Sequence, residues 1–228
     1  MPSSAHWRGN PLSALIFDLD GTLIESLGDL RHALNSALTV RGLRHLNDSA
    51  VAKMVGDGIP KLVERGLAAT GGDTSQSELN LAVADFMMAY KRRPVEESYL
   101  YPGVVETLET LHTAGLKMGI CTNKSKEMSA LVLQRLDISH YFACIIGGDS
   151  LPQRKPAPEP VLACLSALKV QKQEALFVGD SKNDVLAAKA CDLPILLVPS
   201  GYGPARPEDL EADLVIASFA DLKTRLFQ

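Results

Sequence analysis

The sequence predicts an α/β protein: a Rossmann-like parallel sheet with helices on both faces, plus a small all-helical cap domain. Two observations predict it. Five short, nearly continuous apolar runs alternate with helical patterns, as strands buried on both faces do. One stretch, residues 26–93, breaks that alternation and reads as helices alone.

Taken in order, residues 1–10 lack an apolar leader pattern and are expected to form a loose extension. Ala14-Leu15-Ile16-Phe17 is the first strand and runs into Asp18. The insert then reads as helices over 27–40, 49–55, 59–69 and 77–91, parted by the Gly56-Asp57-Gly58 loop and the Gly71-Gly72-Asp73 turn. This divides the chain into an α/β core, 1–25 with 94–228, and a helical cap, 26–93, placed over the strand ends. Pro102-Gly103 precedes a helix through Val105, Leu108 and Leu111 that ends near Gly115. Strands follow at 116–121, leading into Thr122-Asn123, and at 144–146, leading into Gly147-Gly148-Asp149. Between them Ser125 caps a helix carrying Met128, Leu131, Val132 and Leu136. Strands at 175–178 and 194–198 lead into Gly179-Asp180 and Pro199-Ser200-Gly201, and helices close the pattern over 180–190 and 219–227.

Composition narrows the function. The 228 residues are 46% hydrophobic and 22% charged, the balance of an ordinary globular protein. A net charge of −4 without a Lys/Arg run argues against a nucleic-acid partner, and no apolar run is long enough to span a bilayer. Cys121, Cys144, Cys164 and Cys191 form no CxxC and read as buried free thiols, which suits a reducing cytoplasm. The expected state is a monomer or homodimer acting on a small metabolite.

In open parallel sheets, ligands bind beyond the carboxyl ends of the strands, where the polar residues just named fall. Asp18 and Asp20 are two apart, so both carboxylates can face one site, one as nucleophile and the other as proton donor. Gly21-Thr22 ends the strand in a turn whose amides can approach an anion. Thr122 and Asn123 supply a hydroxyl and an amide suited to phosphoryl oxygens. Lys155, in Arg154-Lys155-Pro156-Ala157-Pro158, is a lysine on a stiffened loop. Asp180 and Asp184 are four apart at a helix start, with Ser181 between them. Asp18, Asp20 and Asp180 together would concentrate negative charge that a hard cation relieves, with few ligands, as Mg²⁺ prefers. Each segment alone also reads as a solvated turn, a surface lysine or a helix-dipole partner.

Together the four segments resemble the haloacid dehalogenase superfamily of phosphotransferases. Asp18-Leu19-Asp20-Gly21-Thr22, Thr122-Asn123, Lys155 and Gly179-Asp180 with Asp184 stand in that family's order, and the match covers residues 12–25 and 98–218. The resemblance implies attack by Asp18 on phosphorus and proton transfer by Asp20. It also implies that Thr122 and Lys155 hold the phosphoryl oxygens. Mg²⁺ would be bound by Asp18, Asp180 and the main-chain carbonyl of Asp20, with Gly21, Ser181 and Asp184 in support. Longer stretches, Val55-Gly56-Asp57-Gly58 and Leu151-Pro152-Gln153-Arg154-Lys155 among them, are similar to the family's bacterial phosphoglycolate phosphatases and imply that substrate. Glu25 and Cys191-Asp192 depart from that pattern, at the cap hinge and a helix end. Lys61 and Arg65, behind the 56–58 loop, are the candidates to read the substrate's carboxylate. The rivals are a sugar-phosphate phosphatase or pyrophosphatase, a phosphomutase, or a catalytically silent binding module.

Overall fold

The computed structural model describes residues 5–202 and 207–227, so Met1–Ser4 of the N-terminal extension lie outside the described residues. The remainder of that extension is not loose. It forms an antiparallel ribbon, β1 (His6–Trp7) with β2 (Asn10–Pro11), and Ala5, Trp7 and Leu12 are buried in the core of the sheet's first face. The large apolar surface of the indole outweighs the polarity of its neighbours in sequence.

All four residues of β3 (Ala14–Phe17) are completely buried, as in a strand covered on both faces. The chain leaves the sheet through β4 (Ile24–Glu25) and builds four helices: α1 (Leu27–Val40), α2 (Asp48–Ala52), α3 (Ile59–Thr70) and α4 (Gln76–Arg92). The second of these is shorter than the expected 49–55. Asn47 starts it by accepting from the Ala50 amide, and the chain turns after Ala52. The return strand β5 (Tyr99–Leu100) pairs antiparallel with β4. From there strand and helix alternate as far as β9: α5 (Val104–Thr113), β6 (Lys117–Cys121), α6 (Lys126–Arg135), β7 (Cys144–Ile146), α7 (Glu159–Leu168), β8 (Ala175–Gly179), α8 (Lys182–Ala190) and β9 (Ile195–Leu197), followed by β10 (Leu214–Val215) and α9 (Asp221–Leu226).

Six strands form one parallel sheet in the order β10-β9-β8-β3-β6-β7. Phe17 lies level with Ile120 on one side and Val178 on the other. The chain runs outward from β3 to β7 and then restarts at β8 on the opposite flank, so the strand order reverses beside β3. That reversal opens a crevice at the strand ends. Leu15 and Phe17 point into one apolar layer with Leu108, Met118 and Val178, while Ala14 and Ile16 point into the other with Val161, Cys164 and Phe177. All four cysteines are free, three buried and Cys144 half-buried.

The helices α1–α4 have their own core, including Leu34, Leu38, Val63, Leu67, Phe86 and Tyr90, and Met128 of α6 packs into it from the sheet side. Asp29, buried at the start of α1, ties down the returning chain. Its carboxylate accepts from the amides of Glu96, Glu97 and Ser98 and from the Ser98 hydroxyl at 2.5 Å. No helix among the described residues is long and apolar enough to cross a membrane.

Candidate active site

The turn after β3 positions two carboxylates. The amide of Asp18 still donates to Val178 O, continuing the sheet for one residue, and the amides of Thr22, Leu23 and Ile24 then fold back onto Leu19 O. Gly21 allows that turn. Its φ is +88°, and a Cβ there would come within 2.6 Å of an Asp180 carboxylate oxygen. The Thr22 hydroxyl donates to Asp180 Oδ1 at 2.5 Å.

Around Asp18 the structure gathers Lys155, Asp180 and Asp184, all buried. Lys155 Nζ lies 2.9 Å from Asp18 Oδ1 and 2.6 Å from Asp184 Oδ1. Burial disfavours its ammonium, but Asp18 and Asp184 outweigh burial and hold the lysine above its ordinary range. Asp184 is also engaged on its other side. Its Oδ2 accepts from the Ser181 amide and hydroxyl and from the Asp180 amide, capping α8. Burial pushes the Asp18 carboxyl up to about 6, with Lys155 opposing and Asp184 adding to the rise. Burial, then the charges of Asp184 and Asp18, push Asp180 well above the usual carboxylate range.

Carboxylate oxygens of Asp18, Asp180 and Asp184 all lie within 4.8 Å of one another. One ammonium faces three carboxylates, and Asp18 Oδ1 has no hydrogen-bond donor beyond its ion pair. An excess of buried negative charge on hard oxygen donors fits a small divalent cation.

Asp20 faces a different set of partners. Its carboxylate accepts from the Ser26 hydroxyl at 2.6 Å and from Lys124 Nζ at 3.0 and 3.1 Å. Lys124, buried at the start of the β6–α6 loop, also donates to the Tyr90 hydroxyl of α4 at 2.6 Å. Burial lowers this ammonium's affinity for its proton, but the charge of Asp20 and the Tyr90 contact more than restore it. Lys124 did not stand out in the sequence. The only signal was its place directly after Thr122-Asn123 at a strand end.

A cavity of about 600 Å³, counting its mouth, lies over these residues. The sheet contributes Asp18, Asp20, Thr122, Asn123, Lys124, Asp180 and Ser181. The helical insert contributes Leu30, Val55, Gly56, Gly58, Ile59 and Leu62, and Tyr202 closes one side.

Three of the expected residues make other contacts. Asn123 lines the cavity, but its amide group donates to Gly56 O and Lys155 O, both at 2.9 Å, so it binds loop to loop rather than offering N–H groups to a ligand. Lys61 and Arg65 do not reach the cavity. Lys61 is exposed and paired with Glu64, and Arg65 braces its own loop through Asp57 and Met54 O. The 56–58 loop is gripped from the sheet side instead. Asn183 Nδ2 reaches Gly56 O at 3.2 Å and Asp57 Oδ1 at 2.8 Å, and Arg154 reaches Asp57 O at 3.3 Å.

The sequence profile of haloacid dehalogenase-like hydrolases matches residues 15–198. A phosphoglycolate phosphatase of Rhodospirillum rubrum is 38% identical over 92% of this chain and 88% of its own length. One from Caulobacter vibrioides is 40% identical over 92% and 89%. Among solved structures, a predicted phosphoglycolate phosphatase from Haemophilus somnus superposes with a TM-score of 0.89 at 31% identity, covering 93% of this chain and 97% of that one.

Proposed function

The chain belongs to the haloacid dehalogenase-like hydrolases, and from that premise we propose that it is a phosphatase converting 2-phosphoglycolate to glycolate and phosphate. The observation that carries this is Asp18, a buried carboxylate at the reversal point of the sheet, flanked by Lys155 and placed two residues from Asp20. The substrate follows from the relatives at 38% and 40% identity.

The Asp18 carboxylate attacks phosphorus, the ester P–O bond breaks, and an aspartyl-phosphate forms. Asp20, if it carries a proton, gives it to the departing glycolate oxygen. Asp20 then takes a proton from the water that attacks the aspartyl-phosphate, which releases phosphate and restores Asp18. Lys155 and the Thr122 hydroxyl hold the phosphoryl oxygens against Asp18 and offset their charge. Asp18, Asp180 and the main-chain carbonyl of Asp20 would hold Mg²⁺, with Asp184 bracing Lys155 and the start of α8. When bound, the ion supplies charge neutralisation and orientation. Residues 26–93 act as a cap on the β4–β5 strand pair, and closure keeps water from the cavity. Four free thiols support the cytoplasm as the place of work.

Purified protein assayed on a panel of phosphate esters, with and without Mg²⁺, tests the class and the substrate together. The expected result is Mg²⁺-dependent phosphate release with the highest kcat/KM for 2-phosphoglycolate. A sugar phosphate or pyrophosphate in first place moves the substrate to that rival, and no Mg²⁺-dependent release rejects the phosphatase itself.

Thermal unfolding supplies a second check. Because burial raises Asp18 to about 6, the folded state holds that proton more tightly than the unfolded chain does. Stability of the metal-free protein therefore falls as pH climbs from about 4 through about 6. Mg²⁺ at about 100 times its Kd adds about 2.7 kcal/mol, a rise in Tm of about 5–10 °C for a chain of this size. The rise is larger at pH 7.5 than at pH 5.5. Equal rises at both pH values would place the ion away from these carboxylates.

A further inference from the structure

We propose that Lys124 reads the carboxylate of the substrate, which selects small phosphate esters carrying an acid group on the carbon next to the ester oxygen. The inference rests on the phosphoglycolate reading and deepens it.

The phosphoryl group belongs beside Asp18, where Lys155 is enclosed between Asp18 and Asp184. The leaving group therefore lies on the side of Asp20. There the wall contributed by the insert is apolar through Leu30, Val55, Ile59 and Leu62. Tyr202 offers no donor, because its hydroxyl proton goes to Glu25 while its oxygen accepts from the Ser26 amide. An unpaired carboxylate against such a wall would be expelled. Lys124 is the only cation lining the cavity among the described residues.

Its position also fits. Asp20 must come within hydrogen-bond reach of the ester oxygen to protonate it. In 2-phosphoglycolate a single methylene separates that oxygen from the carboxylate, so the carboxylate falls beside whatever adjoins Asp20. Lys124 Nζ is 3.0 and 3.1 Å from the two Asp20 oxygens. An ammonium has three donors, and here they meet both Asp20 oxygens, at 3.0 and 3.1 Å, and the Tyr90 hydroxyl at 2.6 Å. One Asp20 oxygen is enough to keep that ion pair, so a substrate carboxylate takes the place of the other in a charge-assisted hydrogen bond.

The test compares 2-phosphoglycolate with phosphoglycolamide, the same shape with an uncharged amide in place of the carboxylate, in wild type and Lys124→Met. Wild type is expected to favour the acid by about 100-fold in kcat/KM, the scale of losing one partner of a buried charge pair. In Lys124→Met that preference collapses to within about threefold, with the loss for the acid carried mainly by KM. A preference that survives while both substrates decline equally would make Lys124 a prop for Asp20 and overturn the proposal. Wild type turning over another ester but not 2-phosphoglycolate would instead overturn the substrate reading on which the proposal stands.

A measurement on wild type covers the case in which the variant does not fold. With lysine labelled at ¹³Cε, the buried Lys124 signal shifts on adding 3-phosphonopropionate and not on adding 3-phosphonopropionamide. A Lys124 signal indifferent to the carboxylate overturns the proposal without any substitution.

Discussion

Asp18→Asn lowers kcat by at least about 10⁴-fold and leaves the metal-free protein within a few degrees of the wild-type Tm, or above it. The amide keeps the shape of the side chain and removes the nucleophile. It also removes one of three crowded carboxylates, whose ionised form burial already disfavours. Lys155 keeps Asp184 as a partner at 2.6 Å, so the ammonium is not left alone. Turnover with 2-phosphoglycolate and melting in EDTA check the two halves separately. Near-normal turnover would place the nucleophile elsewhere. A large drop in Tm would show that Lys155 depends on Asp18 more than on Asp184.

Lys155→Met produces the largest loss of stability, about 3–5 kcal/mol, the cost of breaking a buried ion pair by removing one partner. Asp18 and Asp184 then remain buried without their ammonium. The sign of the pH dependence follows. Lys155 opposes the rise that burial imposes on Asp18, so without the lysine the folded state holds the Asp18 proton still more strongly than the unfolded chain does. The variant therefore loses stability as pH rises, and the deficit against wild type is greater at pH 8 than at pH 5.5. Urea unfolding at the two pH values measures it, and a deficit independent of pH would mean that lost packing against Phe177, not charge, is responsible.

The sheet was legible because five of its strands read as apolar runs, fully buried in β3, β8 and β9, buried past Lys117 in β6 and half-buried at the edge in β7; all five fall within two residues of expectation. The sixth strand, Leu214–Val215, is two half-buried residues long and carries no period to detect. The same brevity hid the β4–β5 pair. Trp7 sat alone in a polar stretch, and only the assembled core shows what covers it. The acidic cluster was legible because Asp18 and Asp180 directly follow strands and Asp184 stands four residues beyond Asp180 at the start of α8. Lys124 was not, because its burial depends on Tyr90, whose helix lies 34 residues earlier in the chain. Asn123 was assigned from its residue type and its place after a strand, and the direction of its amide group is set by carbonyls at positions 56 and 155.

The grip on the 56–58 loop has a consequence for how this scaffold can change. Asn123, Asn183 and Arg154 hold the main-chain oxygens of Gly56 and Asp57, and only the Asn183 contact to Asp57 involves a loop side chain. Val55, Ile59 and Leu62, which face the cavity on either side of that loop, take no part. Reshaping the wall that meets a leaving group is therefore separable from fastening the 56–58 loop to the sheet side. A library randomised at those three positions can explore new esters while these contacts stay intact.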